Sequence, residues 1–210
     1  DCVRAIGSTW GGINLEDIKS PECFIIESEL RGKLDVPVFH DDQHGTAIIA
    51  SAGLINACEI TGRKLADVKV VISGAGAAGL SVAGLIRHLG VKRDNILMVD
   101  REGVIYEGRT NGMDQFKSAF AIKTSKRTLA EAFEGADVGG GLRKDVVEVV
   151  ADADEAEALV EELTDAGRAE EEEAEDDVVL LGVGDEFLSG RADFGRGVHV
   201  GELVGLKEAH

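Results

Sequence analysis

Apolar positions in the first two thirds of the chain switch between a strand rhythm and a helix rhythm. Residues 12–30 read as a short loop followed by a helix. Pro21 suits a first helical turn, and Cys23, Phe24, Ile26, Glu27 and Leu30 follow at roughly helical spacing. Val36-Pro37-Val38-Phe39 is a short apolar strand. It delivers His40-Asp41-Asp42-Gln43-His44-Gly45 as a loop. Thr46 then opens a helix through Ile48, Ile49, Ala52, Ile55 and Ala57, ending near Gly62. Next comes a strand–turn–helix–strand pattern. Val68 to Ser73 is rich in β-branched residues, and Gly74-Ala75-Gly76-Ala77-Ala78-Gly79 is the turn. Leu80 to Leu89 is a helix closed by Gly90, and Asn95 to Val99 is a strand ending at Asp100. Gly103 to Tyr106 reads as a brief strand or turn, Leu129 to Phe133 as a helix, and Ala136-Asp137-Val138 as the start of a third strand.

Beyond Val138 the pattern changes. Asp154 to Ala169 mixes acidic and apolar residues in a helical rhythm. Residues 170–177 are an acidic block, expected to be solvated or disordered. Val178 to Val183 is a plausible strand, and Gly195 to Val204 is punctuated by glycine.

Charge draws the same boundary. Of the formal charge of −18, residues 139–210 contribute 21 acidic and 6 basic side chains, whereas residues 1–138 carry 19 and 16. Neither piece is basic, so the electrostatic footprint of a nucleic-acid binder is missing. No apolar run approaches the ~18 residues of a membrane span. The chain opens on Asp1-Cys2-Val3 rather than Met, as expected of a processed or truncated piece. Cys2, Cys23 and Cys58 form no C-x-x-C pair, which suggests neither a disulfide framework nor a zinc ribbon. A reducing cytoplasm is the expected location.

A lone G-x-G-x-x-G is a weak signal, and a glycine-rich turn with no ligand is the bland alternative. Here strand, turn, helix and acid occur in order, which favours a dinucleotide site. Gly74 allows the tight turn, Gly76 lets the backbone approach a pyrophosphate, and Gly79 permits close helix–strand packing. The helix N-terminus offers unpaired N–H groups and partial positive charge. Asp100 is placed to accept hydrogen bonds from the adenosine ribose. Asp100 alone argues for NAD; Arg101 beside it, with Lys92 and Arg93 near in sequence, argues for NADP, so both remain open. The fold class is therefore α/β: a Rossmann-like domain with a parallel sheet.

Two acidic doublets, Glu16-Asp17 and Asp41-Asp42, are each unremarkable on a solvated surface. Asp41-Asp42, however, lies between a strand and a helix, where ligands are commonly held. Carboxylates without cysteine suit Mg²⁺ or Mn²⁺ rather than zinc. For His40 and His44, which flank the loop, a structural role is expected over metal ligation.

At this point the residues resemble a known family. Gly11-Gly12-Ile13-Asn14-Leu15-Glu16-Asp17-Ile18, Pro21-Glu22-Cys23-Phe24, Pro37-Val38-Phe39-His40-Asp41-Asp42-Gln43-His44-Gly45-Thr46-Ala47 and Gly74 to Gly79 are similar to the prokaryotic malic enzymes. The likeness continues through Asp100 to Tyr106 and Lys126 to Ala132 and covers about residues 10–138. It implies oxidative decarboxylation of malate to pyruvate and CO₂ with reduction of NAD or NADP, aided by Mg²⁺ or Mn²⁺. It implies metal ligands Glu16, Asp17 and Asp42, with Asp41 supporting them from behind. The cofactor would lie on Gly74, Ala75, Gly76, Ala77, Ala78 and Gly79, with Thr46 near the nicotinamide and Asp100 and Arg101 at the ribose. A homo-oligomer is implied for the whole enzyme, with no nucleic-acid or membrane partner.

The resemblance also exposes departures. The family's general base, a lysine, and general acid, a tyrosine, lie upstream of the Gly-Gly-Ile-Asn-Leu-Glu-Asp motif, and Asp1 to Trp10 holds neither. Lys19, Lys33 and Tyr106 are given ordinary roles, so no catalytic acid or base is assigned. After Val138 the family's glycine–serine turn and substrate-contacting asparagines are replaced by Gly139-Gly140-Gly141 and an acidic stretch without asparagine. Ser189 to Phe194 matches a family stretch only faintly. The expected division is residues 1–45 for the metal-ligand segment, 46–138 for the nucleotide domain, and 139–210 for an atypical acidic region from a rearranged gene, a frameshift or another module. Three functions are consistent with this sequence: a working malic enzyme, a non-catalytic NAD(P)-binding fragment, and a module whose acidic tail meets a basic partner.

Overall fold

The computed structural model describes residues 1–141. The expectations for 154–169, 170–177, 178–183, 189–194 and 195–204 lie outside the described residues. The chain forms α1 (Cys2–Ile6), β1 (Ile13–Leu15), α2 (Glu22–Arg31) and β2 (Val38–His40) before a π-helical turn at Asp41–Gly45. There follow α3 (Thr46–Thr61), β3 (Val70–Ser73), α4 (Ala77–Leu89), β4 (Ile96–Asp100), β5 (Gly103–Val104), α5 (Gln115–Ser118), α6 (Leu129–Phe133) and β6 (Val138–Gly141). Among the described residues, no helix is long and apolar enough to cross a membrane.

The larger sheet has the order β5-β4-β3-β6. β3 pairs in parallel with both β4 and β6, whereas β5 runs antiparallel to β4. The chain turns straight back after Asp100, and so short a link cannot make the crossover that a parallel neighbour requires. Side chains alternate across this sheet, and the alternation divides the core in two. Val70, Ile72, Ile96 and Met98 point to one face and pack with Ala50 and Leu54 of α3 and Val82 and Ile86 of α4. Val71, Leu97 and Val99 point to the other and pack with Val104, Ile122 and Ala132 of α6. Burial on both faces explains why these strands read as continuous apolar runs.

The N-terminal segment differs from the expected loop before α2. Ile13–Leu15 is a strand, paired in parallel with β2 in the register Leu15↔His40. Three residues are too few to show a period, and the partner lies 25 positions away. Leu15, Leu30 and Val38 make a small core of their own, with Val3, Ile13, Ile18 and Leu34 packed around it. α5 also escaped the sequence reading. It is only four residues long, started by Asp114, whose carboxylate accepts the Phe116 and Lys117 N–H groups. α6 carries a complete capping box between Thr128 and Glu131.

Candidate functional site

The glycine turn leaves β3 and enters α4 as expected. Gly74 has φ +115°, a backbone conformation open to glycine and strained for other residues. Its N–H donates to Val99 O at 2.8 Å, which holds the turn against the end of β4. Gly76 caps α4 with no side chain bonding the first helical N–H groups. The first N–H groups of α4, at the positive end of the helix dipole, are thus left without a side-chain partner, as a phosphate site requires. Ala75, Ala77, Ala78 and Gly79 are buried, so backbone rather than side chain forms this surface.

Asp100 ends β4, with only 11% of its side chain exposed. Its Oδ1 accepts Arg109 Nη2 at 2.6 Å and the Glu102 N–H at 3.0 Å, and its Oδ2 accepts Lys117 Nζ at 2.8 Å. Burial pushes its carboxyl up, but the hydrogen bonds from Lys117 and Arg109 prevail and hold it below the usual carboxylate range. The cations near in sequence are used elsewhere. Lys92 pairs with Asp67 and Arg93 donates to Ala121 O, while Arg101 is exposed. Sequence reasoning missed Arg109 and Lys117 because they reach Asp100 from 9 and 17 positions away, over a loop. Arg109 also donates to Gly103 O, Val104 O and Asn111 O, so it anchors that loop.

The β1–β2 register brings the two acidic doublets to the same end of the small sheet. The Asp17 N–H donates to Asp42 Oδ2 at 3.0 Å, and Asp17 itself has φ +56°. Glu16, Asp17 and Asp41 are exposed and Asp42 is half-buried. Among the described residues no three His, Cys, Asp or Glu side chains are drawn together closely enough to hold an ion. The donor set is nevertheless all oxygen and adjacent. Beside it stands His40, fully buried, with neither ring nitrogen hydrogen-bonded and Nδ1 3.5 Å from Asp42 Oδ2. In the kind of donor they offer, these residues suit a hard cation. Asp41 folds back over Gly45: a Cβ there would lie 2.6 Å from Asp41 Oδ1. Thr46 begins α3, and its N–H bonds Asp41 O and Gln43 O. His44 Nε2 meets Glu27 Oε1 of α2 at 2.6 Å, in keeping with a structural role.

The π-helical turn packs directly on α4, so the carboxylate loop and the nucleotide turn belong to one assembly. Fold and site together define a dinucleotide-binding α/β protein with an attached carboxylate loop. Residues 43–160 match the family model for the malic enzyme NAD-binding domain, and the chain belongs to the malic enzyme family. The match continues past the change of composition at Val138. The chain is 59% identical over 142 residues to an NADP-dependent malic enzyme of Rhizobium meliloti, covering 68% of this chain and 19% of that protein. It is 51% identical to an NAD-dependent malic enzyme of the same organism, over 68% of this chain and 18% of the relative. The crystal structure of the NAD-dependent malic enzyme from Thermotoga maritima superposes with a TM-score of 0.62 at 38% identity, over 70% of this chain and 40% of that one. The chain thus spans about a fifth of the length of the Rhizobium relatives it matches.

Proposed function

We propose that this chain supplies the metal and nucleotide sites for the oxidative decarboxylation of malate. Malate and NAD(P)⁺ become pyruvate, CO₂ and NAD(P)H. The packing of the Asp41–Gly45 turn on α4 carries this reading, because it joins an oxygen-donor site to the helix that starts at the nucleotide turn. When bound, the divalent cation supplies Lewis-acid polarisation of the substrate oxygens and the nicotinamide supplies a hydride acceptor. Glu16, Asp17 and Asp42 would hold the cation. Asp41, packed over Gly45, would steady the loop. The backbone from Gly74 to Gly79 would bind the pyrophosphate, and Thr46, which begins α3 directly after the carboxylate turn, would lie near the nicotinamide. Proton transfer is assigned to no residue of this chain.

A finer reading concerns the nucleotide. A bare carboxylate at the end of β4 would repel a 2′-phosphate. Asp100 is matched by two cations, and Lys117 keeps about a fifth of its side chain exposed. This supports acceptance of NADP. The test is to titrate the chain with NADPH and NADH by fluorescence, then add malate, Mn²⁺ and each oxidised nucleotide. NADPH should bind more tightly than NADH. Reduced cofactor and CO₂ in equal amounts would support the full reaction. Binding without turnover would confine the chain to the cofactor and metal part. Failure to bind either nucleotide would overturn the reading.

A further inference from the structure

A π-helical turn is rare and does not hold itself in shape as an α-helix does; such turns gather at functional sites and are kept by contacts from outside. The turn Asp41–Gly45 is held from outside by the Asp17 N–H, which donates to Asp42, and by Glu27 of α2, which bonds His44, while α3 and α4 pack against it. Within the turn, Asp41 folds onto Gly45. Glu27 sits on α2, its side chain 8% exposed, and Arg31 Nη1 lies 3.7 Å from the same Oε1. The His44 ring lies against Phe39, with centroids 5.4 Å apart. A buried carboxylate is costly unless it is bonded, and His44 and Arg31 are the partners that Glu27 has here.

We propose that Glu27 is a positioning residue: by holding His44 it fixes the π-helical turn and so the aim of the Asp42 carboxylate. Glu27 touches neither the cation nor the nucleotide. It acts on Asp42 through one hydrogen bond and two residues of backbone. The inference rests on the metal reading above for its consequence, but not for its geometry.

The test uses the full 210-residue chain with Glu27→Gln, Glu27→Ala and His44→Ala. Gln keeps an oxygen that can accept the His44 N–H; Ala does not. Hydrogen exchange of the 42–47 amides is read first, without metal. Glu27→Ala should accelerate it, Glu27→Gln should leave it near the parent rate, and the double variant Glu27→Ala/His44→Ala should be no faster than His44→Ala alone. Mn²⁺ binding is then read by the paramagnetic signal of the free ion, and NADPH binding by fluorescence. Glu27→Ala should weaken Mn²⁺ roughly tenfold, as losing a residue that orients a metal ligand does, with NADPH affinity unchanged. Unchanged exchange in Glu27→Ala would overturn the proposal. So would equal loss of Mn²⁺ and NADPH affinity, which marks a merely structural role. If the parent chain binds no Mn²⁺, the metal reading fails while the exchange data still decide whether Glu27 holds the turn.

Discussion

The two sheets of this molecule hold their ligand groups in opposite ways. The four-stranded sheet is covered on both faces, and its site is a backbone turn fixed between β3, β4 and α4. The two-stranded sheet has three residues per strand and a core of three buried side chains, and its candidate site consists of exposed carboxylates and the half-buried Asp42. A site made of backbone is complete once the strand and helix pack, because the donors are part of the elements. A site made of side chains needs something further to close it, and β1–β2 brings the doublets together without drawing three donors onto one point. Support for the second site therefore comes from its neighbours, α2 and α4, more than from its own sheet.

The largest effect that can break this comparison is on stability. Met98 is fully buried in the centre of the four-stranded sheet, whereas Leu15 keeps 6% exposure in the small core. Met98→Ala should cost toward the upper part of the range of about 2–5 kcal/mol for such a truncation, and Leu15→Ala toward the lower part. Urea unfolding followed by circular dichroism measures both. The single tryptophan, Trp10, lies three residues before β1 and gives a fluorescence probe next to that strand. In Leu15→Ala its transition should precede the change in ellipticity. Coincident transitions with equal losses would show one cooperative unit.

The same contrast decides what could be read from the residues. The α/β class, the glycine turn and Asp100 were legible because strand, turn, helix and acid are consecutive, and the continuous apolar runs of β3 and β4 reflect burial on both faces. The family resemblance was carried by local strings for the same reason. β1 was missed since Ile13–Leu15 gains its strand character only from β2. Arg109, Lys117 and Glu27 were missed because each acts on a residue 9 to 17 positions away, across a loop or helix, and no spacing rule encodes that reach. The signal that could have pointed to Glu27 was a carboxylate at an otherwise apolar helical position of α2.

The next effect bears on the side-chain site alone. Asp42→Ala should weaken Mn²⁺ binding strongly, by about 10–100-fold or more, whereas Asp41→Ala should weaken it less, since Asp41 packs over Gly45. Calorimetric titration with Mn²⁺ compares them. Equal and negligible effects would refute the metal site and leave the doublets as a solvated edge. NADPH binding should survive both substitutions, because the turn at Gly74–Gly79 uses no side chain.

The smallest effect sharpens the other half of the comparison, where one side chain does matter. Asp100 has its folded pKa held below the ordinary 3.8 by Lys117 and Arg109 against the opposing effect of burial. For a carboxyl depressed in the folded state, the stabilisation is fully present above the unfolded value. It is lost as pH falls through the lower, folded value. Stability should therefore fall more steeply below about pH 4 in the parent chain than in Asp100→Asn, which cannot titrate. Urea midpoints taken between neutral pH and pH 3 give the difference, in which the exposed carboxylates common to both chains cancel. A constant gap between the two curves over that range would mean that Arg109 and Lys117 do not lower the pKa of this carboxyl in the folded chain. The nucleotide preference argued from that network would then lose its basis, because the two cations would not offset the charge with which Asp100 repels a 2′-phosphate.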